Sequence, residues 1–302
     1  MTFVRHRLAV IGAVLLLAPP PSGTAVEAWR ASAPQNPIET GTAASPFLVT
    51  SRDGARRYEV RVVRPAQDAP PAGYPVLYLL DGQSTLPAIT PAIRDRAWAS
   101  APIVFVAIAH DTTDRSALTA ARTLDFTVGP RGPQALSSDL PSGGADAFID
   151  LLVDEIRPRV TASVPIDSAR QAFYGHSYGA LCVLRALFTR PQLFQTYIAA
   201  SPSLWWGDGY LERAVAQAAP SLGGVHARVL LTIGDQEARA ARGRAADPGA
   251  AAANVATLQS IARQLDVLPG IDATWQVFEG RNHGAALPPS VEAAVNLISG
   301  AR

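Results

Sequence analysis

Short apolar runs alternate with longer mixed segments along most of the chain, and each run stops at a turn-forming residue. The first two runs, 47–50 and 57–63, flank Ser51-Arg52-Asp53-Gly54. Asp-Gly between β-prone residues predicts a hairpin. In the second run Tyr58, Val60 and Val62 alternate with Arg57, Glu59 and Arg61, the two-residue period of a strand with one exposed face. The runs at 75–80 and 103–109 lack that alternation. Continuous apolar runs of this length suit central parallel strands covered on both faces. The runs at 171–174, 195–200, 229–233 and 273–278 predict further strands. Helical stretches fall between them: 84–98, interrupted by Pro87 and Pro91; 143–157, with Phe148, Leu151, Leu152 and Ile156 on one side; then 180–188, 254–265 and 291–298. Residues 65–74 read as a Pro-rich loop. Residues 111–142 are polar and short of regular pattern, and 238–253 are biased to Ala and Arg and broken at Pro248-Gly249.

Strands that alternate with helices predict an α/β fold: a mostly parallel central sheet with helices on both faces and an antiparallel N-terminal hairpin. No internal repeat is visible and one core suffices, so 46–302 reads as a single domain. The N-terminus reads differently. Arg5, His6 and Arg7 precede an apolar run over 8–18, and small residues follow, the layout of a secretory signal peptide cleaved after Ala25 or Ala28. The run is short beside the ~20 residues of a membrane span. Residues 1–28 are therefore expected to be a leader, 29–45 a flexible arm, and the mature protein exported, periplasmic and without a stable membrane anchor.

Composition changes the picture little. With 48% hydrophobic residues in 302, the chain can bury a sizeable core, and a net charge of +1 gives no basic excess for nucleic acid. Without residues 1–28 the balance is 24 basic against 24 acidic groups. Cys182 is the only cysteine, so no intrachain disulfide forms, and its place in an apolar helix suits an inert buried thiol.

The candidate chemistry centres on Gly175-His176-Ser177-Tyr178-Gly179, a G-x-S-x-G pattern between a predicted strand and a predicted helix. That setting is a nucleophile elbow, in which flanking glycines let the chain turn sharply and present the serine Oγ. A serine hydroxyl needs a base within hydrogen-bond reach, and the base needs an orienting acid. His283 follows the last strand and is the best base among five histidines. His6 is in the leader, His110 precedes the elbow, His176 sits beside the nucleophile and points elsewhere, and His226 precedes a strand. The acid is Glu237, or alternatively Asp235, in the loop Gly234-Asp235-Gln236-Glu237; either can instead cap a following helix. An oxyanion hole needs two backbone N–H donors. One is expected from Tyr178 and the other from Gln83, with Gly82 as the alternative, in the turn Asp81-Gly82-Gln83. No metal or organic cofactor is needed.

With these residues in place, the chain resembles the esterase D-like branch of the α/β-hydrolases, and within it the esterases of enterobactin-type trilactone siderophores. The resemblance lies in Tyr78-Leu79-Leu80-Asp81-Gly82, Arg122-Thr123-Leu124-Asp125-Phe126-Thr127, Ser142-Gly143-Gly144-Ala145-Asp146, Tyr174-Gly175-His176-Ser177-Tyr178-Gly179, Ser201-Pro202-Ser203-Leu204-Trp205-Trp206 and Asn282-His283-Gly284. It implies serine esterase chemistry on a small-molecule ester, with Ser177 and His283 carried over directly and the acid best on Glu237. Arg122 can meet an anionic ligand such as a catecholate, or pair with Asp125. Trp205 and Trp206 can line an aromatic pocket or pack in the core. A broad carboxylesterase or acyltransferase, and a non-catalytic binding protein on the same scaffold, are the rival functions.

Overall fold

The computed structural model describes residues 46–129, 140–238 and 248–301. The expected leader and arm lie outside these residues, as does Arg131 of the polar segment. The strands are β1 (Phe47–Thr50), β2 (Arg57–Val63), β3 (Tyr74–Leu80), β4 (Val104–His110), β5 (Ile166–His176), β6 (Thr196–Ala200), β7 (Ala227–Gly234) and β8 (Ile271–Phe278). They form one sheet in the order β1-β2-β4-β3-β5-β6-β7-β8. β1 and β2 pair antiparallel as the Asp-Gly turn predicts, β2 pairs antiparallel with β4, and every later pairing is parallel.

The helices are α1 (Gly82–Thr85), α2 (Pro91–Ser100), α3 (Arg115–Phe126), α4 (Ala145–Leu151), α5 (Arg157–Ser163), α6 (Tyr178–Thr189), α7 (Tyr210–Gln217), α8 (Ala219–Leu222), α9 (Pro248–Asp266) and α10 (Leu287–Ser299). A π-helical turn, Leu152–Ile156, joins α4 to α5. Successive strand residues face opposite ways, so β3 feeds two cores. Val76, Tyr78 and Leu80 belong to the core that also takes in side chains of α4, α5, α6, α7 and α9, while Leu77 and Leu79 belong to the core shared with α2 and α10. All five are fully buried, and burial of each of the four aliphatic side chains contributes about 1.5–3 kcal/mol. Coverage on both faces explains why this strand shows no polar alternation. Among the described residues no helix is long and apolar enough to cross a membrane.

Several boundaries differ from the pattern. The polar segment 111–142 contains α3. Asp114 caps it by accepting the Ala117 N–H at 2.7 Å, and its buried side includes Thr123 and Asp125 beside Phe126. Asp125 pairs with the Arg56 guanidinium at 2.9 Å, the Tyr58 hydroxyl at 2.7 Å and His110 Nε2 at 2.9 Å. Two of its three buried side chains are polar, which blurs the stripe that Leu118, Ala121 and Leu124 supply. Pro91 and Pro248 open α2 and α9 instead of breaking them, because the first turn of a helix needs no N–H from its leading residue. The stretch 84–98 is thus two helices, and the helix expected from 254 starts at Pro248. The short α7 and α8 were not predicted.

The sheet order sets the place of chemistry. β3 continues to β4 on one side and β5 continues to β6 on the other, so the loops leaving them diverge and open a crevice above their carboxyl ends. The Asp81 turn leaves β3, and the elbow leaves β5.

Candidate active site

Ser177 links β5 to α6 with φ 62° and ψ −116°, a conformation few side chains adopt. Such strain costs about 1–3 kcal/mol and persists only where the surroundings enforce it. Two contacts enforce it here. The Ser177 N–H donates to the Ala200 carbonyl at 2.9 Å, tying the elbow to β6. Gly175 lies against the Gly179 backbone so closely that any side chain at 175 would collide with it. Tyr178 is the first residue of α6, and its N–H has no intrahelical acceptor. Gln83 is the second residue of α1, in the same position to donate.

His283 Nε2 lies 2.9 Å from Ser177 Oγ, and Nδ1 lies 2.7 Å from Glu237 Oε2. Glu237 is buried, and its other oxygen accepts from Ser201 Oγ at 2.6 Å and from the Gly234 N–H at 2.7 Å. Burial works to raise this carboxyl, but hydrogen bonds from His283, Ser201 and Gly234 overcome it and hold it below the usual glutamate range. A carboxylate only accepts, so His283 Nδ1 carries the proton and Nε2 accepts the Ser177 proton. Ser203 Oγ, 3.4 Å from Ser177 Oγ, is then the donor in that contact. Asp235 does not reach the imidazole. Its Oδ1 accepts the Arg281 N–H at 3.3 Å, which anchors the histidine's loop.

Gly234 makes this meeting of loops possible. A side chain there would collide with the Arg281 carbonyl. The backbones also pair directly, Asp235 N–H to the Phe278 carbonyl at 3.1 Å and Gln236 N–H to the Arg281 carbonyl at 3.0 Å. Gly234→Ala is expected to push residues 279–283 away from Glu237 and lower kcat/KM by about 10²-fold or more. Ester hydrolysis measured beside the thermal midpoint tests this. Activity within a few fold of the parent would refute it.

His176 lies behind His283, with ring centroids 4.7 Å apart and Nε2 donating to the His283 carbonyl at 3.1 Å. Burial, then the neighbouring His283 charge, pushes its pKa down to about 4, so it is neutral at pH 7 and adds no charge beside the base. Cys182 is fully buried in α6, and burial pushes its thiol well up.

The remaining predicted residues divide. Arg122 pairs with Asp81, not Asp125, through Nε–Oδ1 at 2.6 Å and Nη2–Oδ2 at 2.7 Å. Asp81 is in the left-handed region at φ 54° and starts the turn that carries Gln83. Arg122 thus braces that turn. A cleft of about 360 Å³ opens over Ser177 and His283, with Tyr178, Leu204 and Trp205 among its walls. Trp206 is not a wall. It is 1% exposed and its Nε1–H donates to the Val128 carbonyl at 2.8 Å, so core packing holds for this tryptophan. Tyr178 packs against both rings, at 6.0 Å from Trp205 and 5.3 Å from Trp206. Among the described residues no group of three or more His, Cys, Asp or Glu is arranged to hold a metal ion. Sequence reasoning missed Ser201, the Asp81–Arg122 pair and Gly234. The polar Ser-Pro-Ser exit from a buried strand was the one available signal.

Comparison with known proteins places this geometry among relatives. The Esterase family model, described as "Putative esterase", matches residues 51–286. The chain is 36% identical over 179 residues to the ferri-bacillibactin esterase BesA of Bacillus subtilis, which covers 54% of this chain and 60% of that one. The matched part is thus under two thirds of the Bacillus protein's own length. It is 31% identical over 260 residues to the apo-salmochelin esterase of Escherichia coli, covering 83% of this chain and 77% of the other. The solved structure of the enterobactin and salmochelin hydrolase IroE superposes with a TM-score of 0.67 at 28% identity, covering 85% of this chain and 94% of that one.

Proposed function

We propose that this chain, which belongs to the Esterase family, is an ester-bond hydrolase, a serine esterase working through an acyl-enzyme on Ser177. The observation that carries the reading is the Ser177–His283–Glu237 hydrogen-bonded chain, at 2.9 and 2.7 Å, assembled from loops after β5, β8 and β7. Ser177 Oγ attacks the ester carbonyl as its proton passes to His283 Nε2. The imidazolium is stabilised by the ionised Glu237. The carbonyl oxygen, now negative, takes hydrogen bonds from the N–H groups of Tyr178 and Gln83, with Gly82 the alternative for the second. The alcohol leaves with the proton from His283. Water then gives a proton to His283, attacks the acyl group and frees Ser177 and the acid.

The substrate class follows from what the relatives act on, as their names state: a ferri-bacillibactin esterase, an apo-salmochelin esterase, and an enterobactin and salmochelin hydrolase. The substrate proposed is an ester-linked siderophore of the trilactone type, free or as its ferric complex. The aromatic walls from Tyr178 and Trp205 suit an aryl-bearing acyl group. Export to the periplasm is also proposed, from the basic and apolar layout of residues 1–28.

Two measurements test the proposal. A fluorophosphonate probe is expected to label the folded protein at Ser177, located by peptide mass mapping; a protein that stays unlabelled would remove the serine mechanism. Enterobactin-like trilactone is expected to be opened faster than short p-nitrophenyl esters. Turnover of the simple esters with none of the trilactone would replace the siderophore reading with a broad carboxylesterase.

A further inference from the structure

Sheet order puts β6 between the strand that carries the nucleophile and the strand that carries the acid. Its end touches both. The Ala200 carbonyl accepts the Ser177 N–H at 2.9 Å, and the next residue, Ser201, donates its hydroxyl to Glu237 Oε1 at 2.6 Å. Ser201 is fully buried, its φ is 46°, and its N–H donates to the Thr232 carbonyl at 2.7 Å. The backbone therefore fixes where the Ser201 side chain starts, and from there its hydroxyl reaches Glu237. Oε1 takes two donors, Ser201 and the Gly234 N–H, and Oε2 is left to face His283 Nδ1.

We propose that Ser201 is a positioning residue of the Ser177–His283–Glu237 site, its hydroxyl locking Glu237 so that one carboxylate oxygen always faces the imidazole. This rests on the serine-esterase reading above. A carboxylate that keeps only the Gly234 donor can rotate, and it is also more basic. A more basic carboxylate holds the imidazolium proton more tightly. The base is then protonated, and idle, up to a higher pH. The other charged or titratable groups around this pair come from several elements: His176 at the end of β5, Asp235 on the acid's own loop, Arg281 on the histidine's loop, and Asp81 with Arg122 beyond His176. None of them contacts Ser201 among the bonds described, so its replacement leaves them in place.

The test uses the full chain, with Ser201→Ala and Ser201→Gly beside the parent. Glycine removes the same hydroxyl while relaxing the left-handed backbone. The rate of fluorophosphonate labelling at Ser177 is followed by intact mass from about pH 5 to about pH 9, across the histidine range, with a thermal midpoint for each protein. Both variants are expected to label about tenfold more slowly at neutral pH, with the acid limb of the profile moved up by about half a pH unit or more. An unmoved limb in both variants, with any loss of rate following the thermal midpoint, would make Ser201 a packing residue and overturn the proposal. A limb that moves in the alanine variant but not in the glycine variant would assign the effect to backbone strain and overturn it equally. A parent protein that is not labelled at all would overturn the serine-esterase reading itself, and this inference with it.

Discussion

Ser177→Ala is expected to lower kcat/KM for any ester this protein accepts by about 10⁵- to 10⁶-fold, with fluorophosphonate labelling abolished. The argument is geometric. Ser177 Oγ is the only hydroxyl within hydrogen-bond reach of His283 Nε2, at 2.9 Å, among the bonds described. Ser203 Oγ is adjacent at 3.4 Å but makes no bond to the imidazole, so it cannot hand over its proton in the lost serine's place. Substrate affinity should largely survive, since Tyr178, Leu204 and Trp205 still line the cleft. Stability separates this from simple misfolding. Alanine keeps the φ of 62° and its strain, whereas Ser177→Gly relieves it. The glycine variant should be equally inactive, yet about 1 kcal/mol more stable than the alanine variant by denaturant titration. Residual hydrolysis above about 1% of the parent in either variant would move the nucleophile elsewhere.

Glu237→Gln is the second large effect, about 10⁴-fold in kcat, while Asp235→Asn should stay within a few fold of the parent. Glutamine cannot ionise, and its amide can present a donor to His283 Nδ1. That favours the tautomer with a proton on Nε2, which cannot accept from Ser177. Asparagine at 235 keeps an oxygen for the Arg281 N–H, so the histidine's loop holds. Comparable losses in both variants would contradict the separate roles argued from these contacts. The same carboxylate carries a stability signature. Its folded pKa lies below the ordinary value of 4.5, so the unfolded chain binds this proton more readily. Its contribution to stability is complete above that value and is lost as pH falls through the lower folded pKa. The parent's denaturation midpoint should therefore fall more steeply than that of Glu237→Gln in this acid window.

The legibility of this site varied with the kind of signal each residue leaves. The elbow was visible because Gly175, Ser177 and Gly179 lie within five residues, and the local turn requires those types whatever surrounds them. His283 and the loop 234–237 were visible because each follows a continuous apolar run, and parallel strands present such loops at one edge of the sheet. Asp235 and Glu237 could not be separated by position alone. They differ in what they meet across the gap to the last strand's loop: Asp235 the Arg281 N–H, 46 positions on, and Glu237 the His283 imidazole. α3 was hidden because its buried side relies on Thr123 and Asp125, polar residues satisfied by partners as distant as Tyr58. Trp205 and Trp206 are neighbours of one type, and only packing sent one to the cleft and the other to the core.

What the sequence determined by itself was therefore everything carried by local period and local turn chemistry: the strands and most helices, the antiparallel start, the sharp serine turn and the order in which the site's residues come along the chain. The tertiary structure alone decided which side chains meet. It assigned Arg122 to Asp81, Glu237 to His283, Ser201 to Glu237, and a bare Gly234 to the passage of the Arg281 carbonyl. The reason is physical. Backbone preference acts over a few residues, whereas a hydrogen bond or a steric overlap depends on distances fixed only when strands far apart in the chain settle side by side in the sheet.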